Sequence, residues 1–172
     1  MLPAVNDELV RRLLEVSELH GDFVLSSGTH SKVYFDKFRF LTRPDLLRDL
    51  AREVASLLPE GTDHLAAPEG AATLLLAAVS LETGLPVAVV RKEAKTYGTR
   101  EQVEGHAPAG ARAVLIEDVS TTGHQVLAAA NVLEAVGVSV VRIVLAIDRG
   151  GAEHLREAGY DVAAVAVLRP AT

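Results

Sequence analysis

The chain has 172 residues, enough for one domain with a sizeable core, and at 49% apolar and 23% charged it does not read as a disordered chain. A net charge of -6 argues against nucleic acid as the main partner, because a phosphate backbone rewards a basic surface. With no cysteine there is neither a disulfide nor a thiolate metal site, which fits a reducing, cytoplasmic setting. The opening MLPAVNDELVRR is mixed and charged rather than a secretory leader, and no apolar run is long enough to span a bilayer, so no membrane partner is expected.

In chain order, Asn6 or Asp7 caps a first helix running to about residue 19, with Leu9, Leu13, Val16 and Leu19 spaced by threes and fours, and Gly21 ends it. FVLSSGTHSKVYFD, residues 23–36, reads as a hairpin of strands 23–25 and 33–35 joined by a Ser-Ser-Gly turn. Thr42 and Pro44 open a second helix to about residue 58, whose Leu46, Leu47, Leu50, Val54 and Leu57 share a face. From there short apolar runs alternate with helices. Strands are expected at 64–67, 87–91, 113–117, 138–147 and 162–167, and helices at 71–83, 124–136 and 152–158. That alternation predicts an α/β fold with a parallel sheet covered on both faces, whose ligands sit beyond the carboxyl ends of the strands. The one long irregular stretch, 93–110, is expected to be a functional loop.

The strand ends carry Pro68-Glu69-Gly70, then Arg91-Lys92-Glu93-Ala94-Lys95, then Glu117 to Gly123, then Asp148-Arg149. A cluster of cations at one rim of an acidic protein suits an anionic small molecule. In VLIEDVSTTG, residues 114–123, a buried strand runs into Glu117 and Asp118, then three hydroxyls and a glycine. The amides of residues 120–123 lead into a helix N-terminus, an anion cradle made of N–H groups, hydroxyls and helix dipole. Two acids at the edge of such a cradle suit ribose hydroxyls or a bridging Mg²⁺, so the string asks for a phosphorylated sugar. The six histidines, His20, His30, His64, His106, His124 and His154, show no metal-ligand spacing.

This string resembles the phosphoribosyl-diphosphate signature of the type I phosphoribosyltransferases. RKEAKTYG, residues 91–98, is similar to the mobile-loop motif of the orotate phosphoribosyltransferases, residues 23–36 to that family's substrate hairpin, and AIDRG, 146–150, to its strand ending in Asp-Arg. The resemblance implies a type I phosphoribosyltransferase fold: a mostly parallel sheet flanked by helices, with an N-terminal hood and a mobile loop. A single domain spans 1–172, with helix and hairpin in 1–42 and the phosphoribosyl-diphosphate-binding core in 43–172. It implies transfer of a 5-phosphoribosyl group to orotate in pyrimidine synthesis, giving orotidine 5′-monophosphate and pyrophosphate, with Mg²⁺ carried mainly by the diphosphate and water. By the same resemblance Thr121, Thr122, Gly123, His124 and Gln125 hold the 5-phosphate, alongside Val119 and Ser120. Glu117 and Asp118 meet the ribose. Arg91, Lys92, Lys95 and Tyr97 bind the diphosphate. Lys95 and Asp118 are the catalytic candidates, with Lys95 reaching in from the other subunit of a homodimer. Thr121, Arg149, Tyr34 and Phe35 lie against orotate.

Three positions depart from the family pattern. Tyr97 stands where a histidine is usual, Ser26 where some members carry lysine, and Glu69 lies in a loop that is usually more glycine-rich. A phosphoribosyltransferase for another base is therefore an alternative, as is a non-catalytic regulator that binds phosphoribosyl diphosphate.

Overall fold

The structure is a computed structural model that describes residues 7–24, 28, 30–94 and 101–168. Helix α1 (Asp7–Ser17) buries Leu9 and Leu13. It ends earlier than its apolar spacing suggests. The Ser17 hydroxyl turns back to the Leu13 carbonyl at 2.5 Å, and the Ser17 carbonyl accepts the Asp36 N–H at 2.8 Å. The chain then enters β1 (Glu18–Val24), which pairs antiparallel with β2 (His30–Phe35). Gly21 does not end a helix. It lies within β1, where the register shifts between His20 and Phe23, and glycine accommodates such a bulge. A short α2 (Phe38–Leu41) precedes α3 (Pro44–Ser56); it buries Phe40 and Leu41 and was not legible as periodicity because it is one turn long.

The remaining strands form a six-stranded sheet in the order β5-β4-β3-β6-β7-β8. Strands β3 (His64–Pro68), β4 (Val87–Val90), β6 (Arg112–Ser120), β7 (Ser139–Asp148) and β8 (Val162–Val167) run parallel, and β5 (Val103–Gly105) is antiparallel to β4 at the edge. So 93–110 is not irregular throughout: it contains β5. The crossovers are α4 (Ala72–Thr83), α5 (His124–Ala135) and α6 (Gly151–Glu157).

Each face of the sheet has its own apolar cluster. Val114 and Ile116 of β6 pack with Leu9, Leu13, Phe40, Leu50 and Leu75 on the α1–α4 side. Leu115 packs with Val126, Leu133 and Leu155 on the α5–α6 side. This is the period-two alternation of a strand buried on both faces, where each fully buried large side chain contributes about 1.5–3 kcal/mol. Strand β6 also runs longer than the apolar stretch alone suggests. It extends to Ser120, so Glu117 and Asp118 stand inside the strand rather than after it.

Candidate active site

Continuing the alternation of β6 sends Asp118 toward the side where the N-terminal elements pack, and Glu117 toward α5 and α6. Asp118 is fully buried and Glu117 nearly so, at 6% exposure. The two are neighbours in every sense, since the Asp118 N–H donates to Glu117 Oε1 at 3.1 Å. Asp118 Oδ1 accepts the Val119 N–H at 2.6 Å and a bond from Lys37 Nζ at 3.1 Å, and the same ammonium lies 3.0 Å from Oδ2. Burial, and next the charge of Asp118, push the Glu117 carboxyl up to about 8. At neutral pH Glu117 therefore keeps its proton.

Beyond Ser120 the chain turns through exposed Thr121 and Thr122 to Gly123, the left-handed N-cap of α5 (φ 79°). A side chain at Gly123 would bring Cβ within 2.7 Å of the Gly151 carbonyl, so both conformation and space demand glycine. The loop after β7 is equally close: a Cβ on Gly151 would meet Ser120 Oγ at 2.0 Å. The Ser120 hydroxyl is buried there, facing Gly151, which leaves Thr121 and Thr122 as the hydroxyls of the cradle. The first amides of α5 have no carbonyl one turn back to bond, and the positive end of the helix dipole lies with them. His124 and Gln125 are exposed beside them, with the His124 ring 4.7 Å from that of His154.

Across from the cradle, Arg91 and Lys92 leave the end of β4. They share with Pro68, Gln102, His124 and Gln125 a cavity of about 360 Å³. Gln102 anchors this strand end, its amide donating to the Arg91 and Lys92 carbonyls at 3.0 Å each. Glu69 is engaged as well. It accepts the Lys92 N–H at 2.9 Å and lies 3.8 Å from the Arg91 guanidinium, so its charge is partly spent on the cationic segment. Lys95, Tyr97 and Ser26 lie outside the described residues. Arg149 follows β7; its N–H donates to the Ser120 carbonyl at 2.8 Å and its guanidinium sits 5.1 Å from the centre of the Phe35 ring. Phe35 leans on Phe40, while Tyr34, on the opposite side of β2, packs at a tilt against Phe23. Asp148 is not a free rim acid: it is buried and accepts the Gly150 and Ala152 N–H groups.

The structure thus brings Glu117, Asp118, the 121–125 turn, Arg91, Lys92, Arg149 and Phe35 to one end of the sheet. It separates Tyr34, which faces away from Phe35. It adds Lys37, which the sequence reading does not single out; the only clue was its place directly after the hairpin motif. The arrangement offers an amide cradle for a monophosphate, hydroxyl acceptors beside it, and cations one cavity away for a second anionic group. Among the described residues no three His, Asp or Glu side chains converge to hold a metal ion.

The phosphoribosyl transferase domain family matches residues 41–165. An orotate phosphoribosyltransferase of Thermococcus gammatolerans is 41% identical over 160 residues, 90% of this chain and 85% of that protein. Another, from Nocardioides, is 46% identical over 149 residues, covering 86% and 83%. Among solved structures, the orotate phosphoribosyltransferase of Mycobacterium tuberculosis in complex with 5-phospho-α-D-ribosyl 1-diphosphate superimposes with a TM-score of 0.76 at 27% identity, covering 94% of each chain.

Proposed function

The chain belongs to the phosphoribosyl transferase domain family, in its orotate phosphoribosyltransferase branch, and we propose from that premise that it transfers the 5-phosphoribosyl group of phosphoribosyl diphosphate to orotate. The products are orotidine 5′-monophosphate and pyrophosphate, a step of pyrimidine nucleotide synthesis. The observation that carries the reading is the convergence of the buried acid pair, the Thr121–Thr122–Gly123 turn and the Arg91–Lys92 cavity at one end of the sheet.

In this reading the 121–125 turn holds the 5-phosphate, and Glu117 and Asp118 meet the ribose hydroxyls. Arg91, Lys92, Lys95 and Tyr97 are assigned to binding the diphosphate. Arg149, held over Phe35, and Thr121 receive the orotate anion. Displacement at the anomeric carbon sheds a heavily charged leaving group, so its neutralisation is the main task of the cations. When bound, Mg²⁺ would add to that neutralisation of the leaving group. Orotate is already anionic, so no strong base is demanded. The reading includes a homodimer, supported by α4. This helix is apolar nearly all round, and Leu74 and Leu81 on its outer side are exposed, Leu81 at 89%.

The test is to mix the protein with phosphoribosyl diphosphate, Mg²⁺ and orotate and follow the loss of orotate absorbance. Consumption that requires both Mg²⁺ and phosphoribosyl diphosphate supports the reading. No consumption, with phosphoribosyl diphosphate still bound, would move the acceptor to another base.

A further inference from the structure

We propose that Lys37 is a positioning residue of the ribose site: its ammonium fixes the negative charge of the acid pair on Asp118 and sets that carboxylate toward the sugar hydroxyls. The inference rests on the reading that Glu117 and Asp118 receive the ribose. Asp118 is fully buried, and a buried carboxylate needs a counter-charge. Among the described residues Lys37 is the cation that supplies it, touching both oxygens at 3.0 and 3.1 Å.

The neighbouring charged groups are committed elsewhere. Asp36 accepts the Phe38 N–H and faces Arg39 at 3.8 Å; Arg149 lies over Phe35; Asp148 caps the start of α6. The charges bearing on Glu117 are those of Asp118 and Lys37, which act in opposite directions. Although Oδ2 of Asp118 lies close to the ammonium, it receives no aligned hydrogen bond from the described residues. Oδ2 is thus buried with the ammonium's charge beside it but without an aligned donor, the one a sugar hydroxyl reaching this carboxylate would supply. With the charge assigned in this way, the pair presents one carboxylate that accepts and one carboxylic acid that can donate. That is a better match to two adjacent hydroxyls than two repelling carboxylates.

Lys37 also comes from the turn between β2 and α2, so the same contact ties the substrate hairpin to the floor of the ribose site. Positioning the sugar and holding the hairpin over the base are then one interaction.

The test compares ribose 5-phosphate, which spans cradle and acid pair, with inorganic phosphate, which reaches the cradle alone. Titration calorimetry on the parent, Lys37→Met and Lys37→Arg over about pH 6 to 9 reads both affinities across the range in which Glu117 titrates. Lys37→Met is expected to weaken ribose 5-phosphate about tenfold while leaving inorganic phosphate within about twofold. The limb of the ribose 5-phosphate profile near pH 8 moves upward, because the ammonium no longer favours loss of the Glu117 proton. Lys37→Arg restores most of the affinity. Equal loss of both ligands, or an unmoved limb with full ribose 5-phosphate affinity, overturns the proposal. Asp118→Asn separates the two failures. If it weakens ribose 5-phosphate while Lys37→Met does not, only the role of Lys37 falls; if neither does, the ribose reading of the acid pair falls with it. Should Lys37→Met fail to fold, Lys37→Gln carries the same comparison.

Discussion

Glu117 holds a proton in the folded protein that it loses in the unfolded chain, and this has a thermodynamic consequence. Its carboxyl stands near 8 rather than at the ordinary 4.5. The associated stabilisation is complete below about pH 4.5 and is lost as pH rises through about 8. Thermal melts between about pH 6 and 9 should show the parent losing several degrees with rising pH, and Glu117→Gln losing less. A parallel decline in both proteins would assign the effect to other groups. At Lys95, the sequence and the proposed chemistry together predict a split: Lys95→Ala lowers turnover far more than it weakens binding of phosphoribosyl diphosphate, and equal turnover would remove the lysine from its role. The acids and the hydroxyls of the site were legible because they are adjacent in the chain. Lys37 was not, since 81 residues separate it from Asp118 and nothing local marks a lysine as a partner for a distant strand.

Between elements, the β6–α5 turn meets the β7–α6 turn glycine against glycine, with Gly123 beside Gly151. A methyl group at Gly151 would stand 2.0 Å from Ser120 Oγ, so Gly151→Ala must displace the end of β6 and with it the cradle. The expected result is a destabilisation of about 1–3 kcal/mol and a raised KM for phosphoribosyl diphosphate, partly relieved by adding Ser120→Gly. Steady-state kinetics and melts on the three variants check it. The core strands and their helices were readable from apolar runs and periodicity. What escaped was short or tertiary in origin: α2 is a single turn, β5 is three residues that pair with β4, and β1 replaces the end of a helix because β2 is there to pair with it. The extra length of β6 escaped for a related reason. Acids do not look like strand interior until a lysine beside Asp118 and a proton kept on Glu117 make their burial tolerable.

Over the whole molecule, the outer side of α4 is the place where the proposed homodimer is testable. Leu81→Glu puts a charge on an apolar face and should shift the sedimentation equilibrium toward monomer, with activity falling in step if the loop lysine serves the other subunit. Sedimentation unchanged from the parent would move the interface elsewhere.

The sheet order also sets a sequence of assembly. Strands β6, β7 and β8 are neighbours in the sheet and consecutive in the chain, joined by α5 and α6, whereas β3 pairs with β6 although β4 and β5 lie between them in the chain. Contacts between near segments close smaller loops and form early in folding. The cradle, both acids and Arg149 all belong to that contiguous 112–167 segment; Lys37 and the hairpin do not. Mutations in β6–β8 are then expected to slow folding, and mutations at the Lys37 contact to speed unfolding. The phosphate half of the pocket would exist as a nascent site before the base half closes over it.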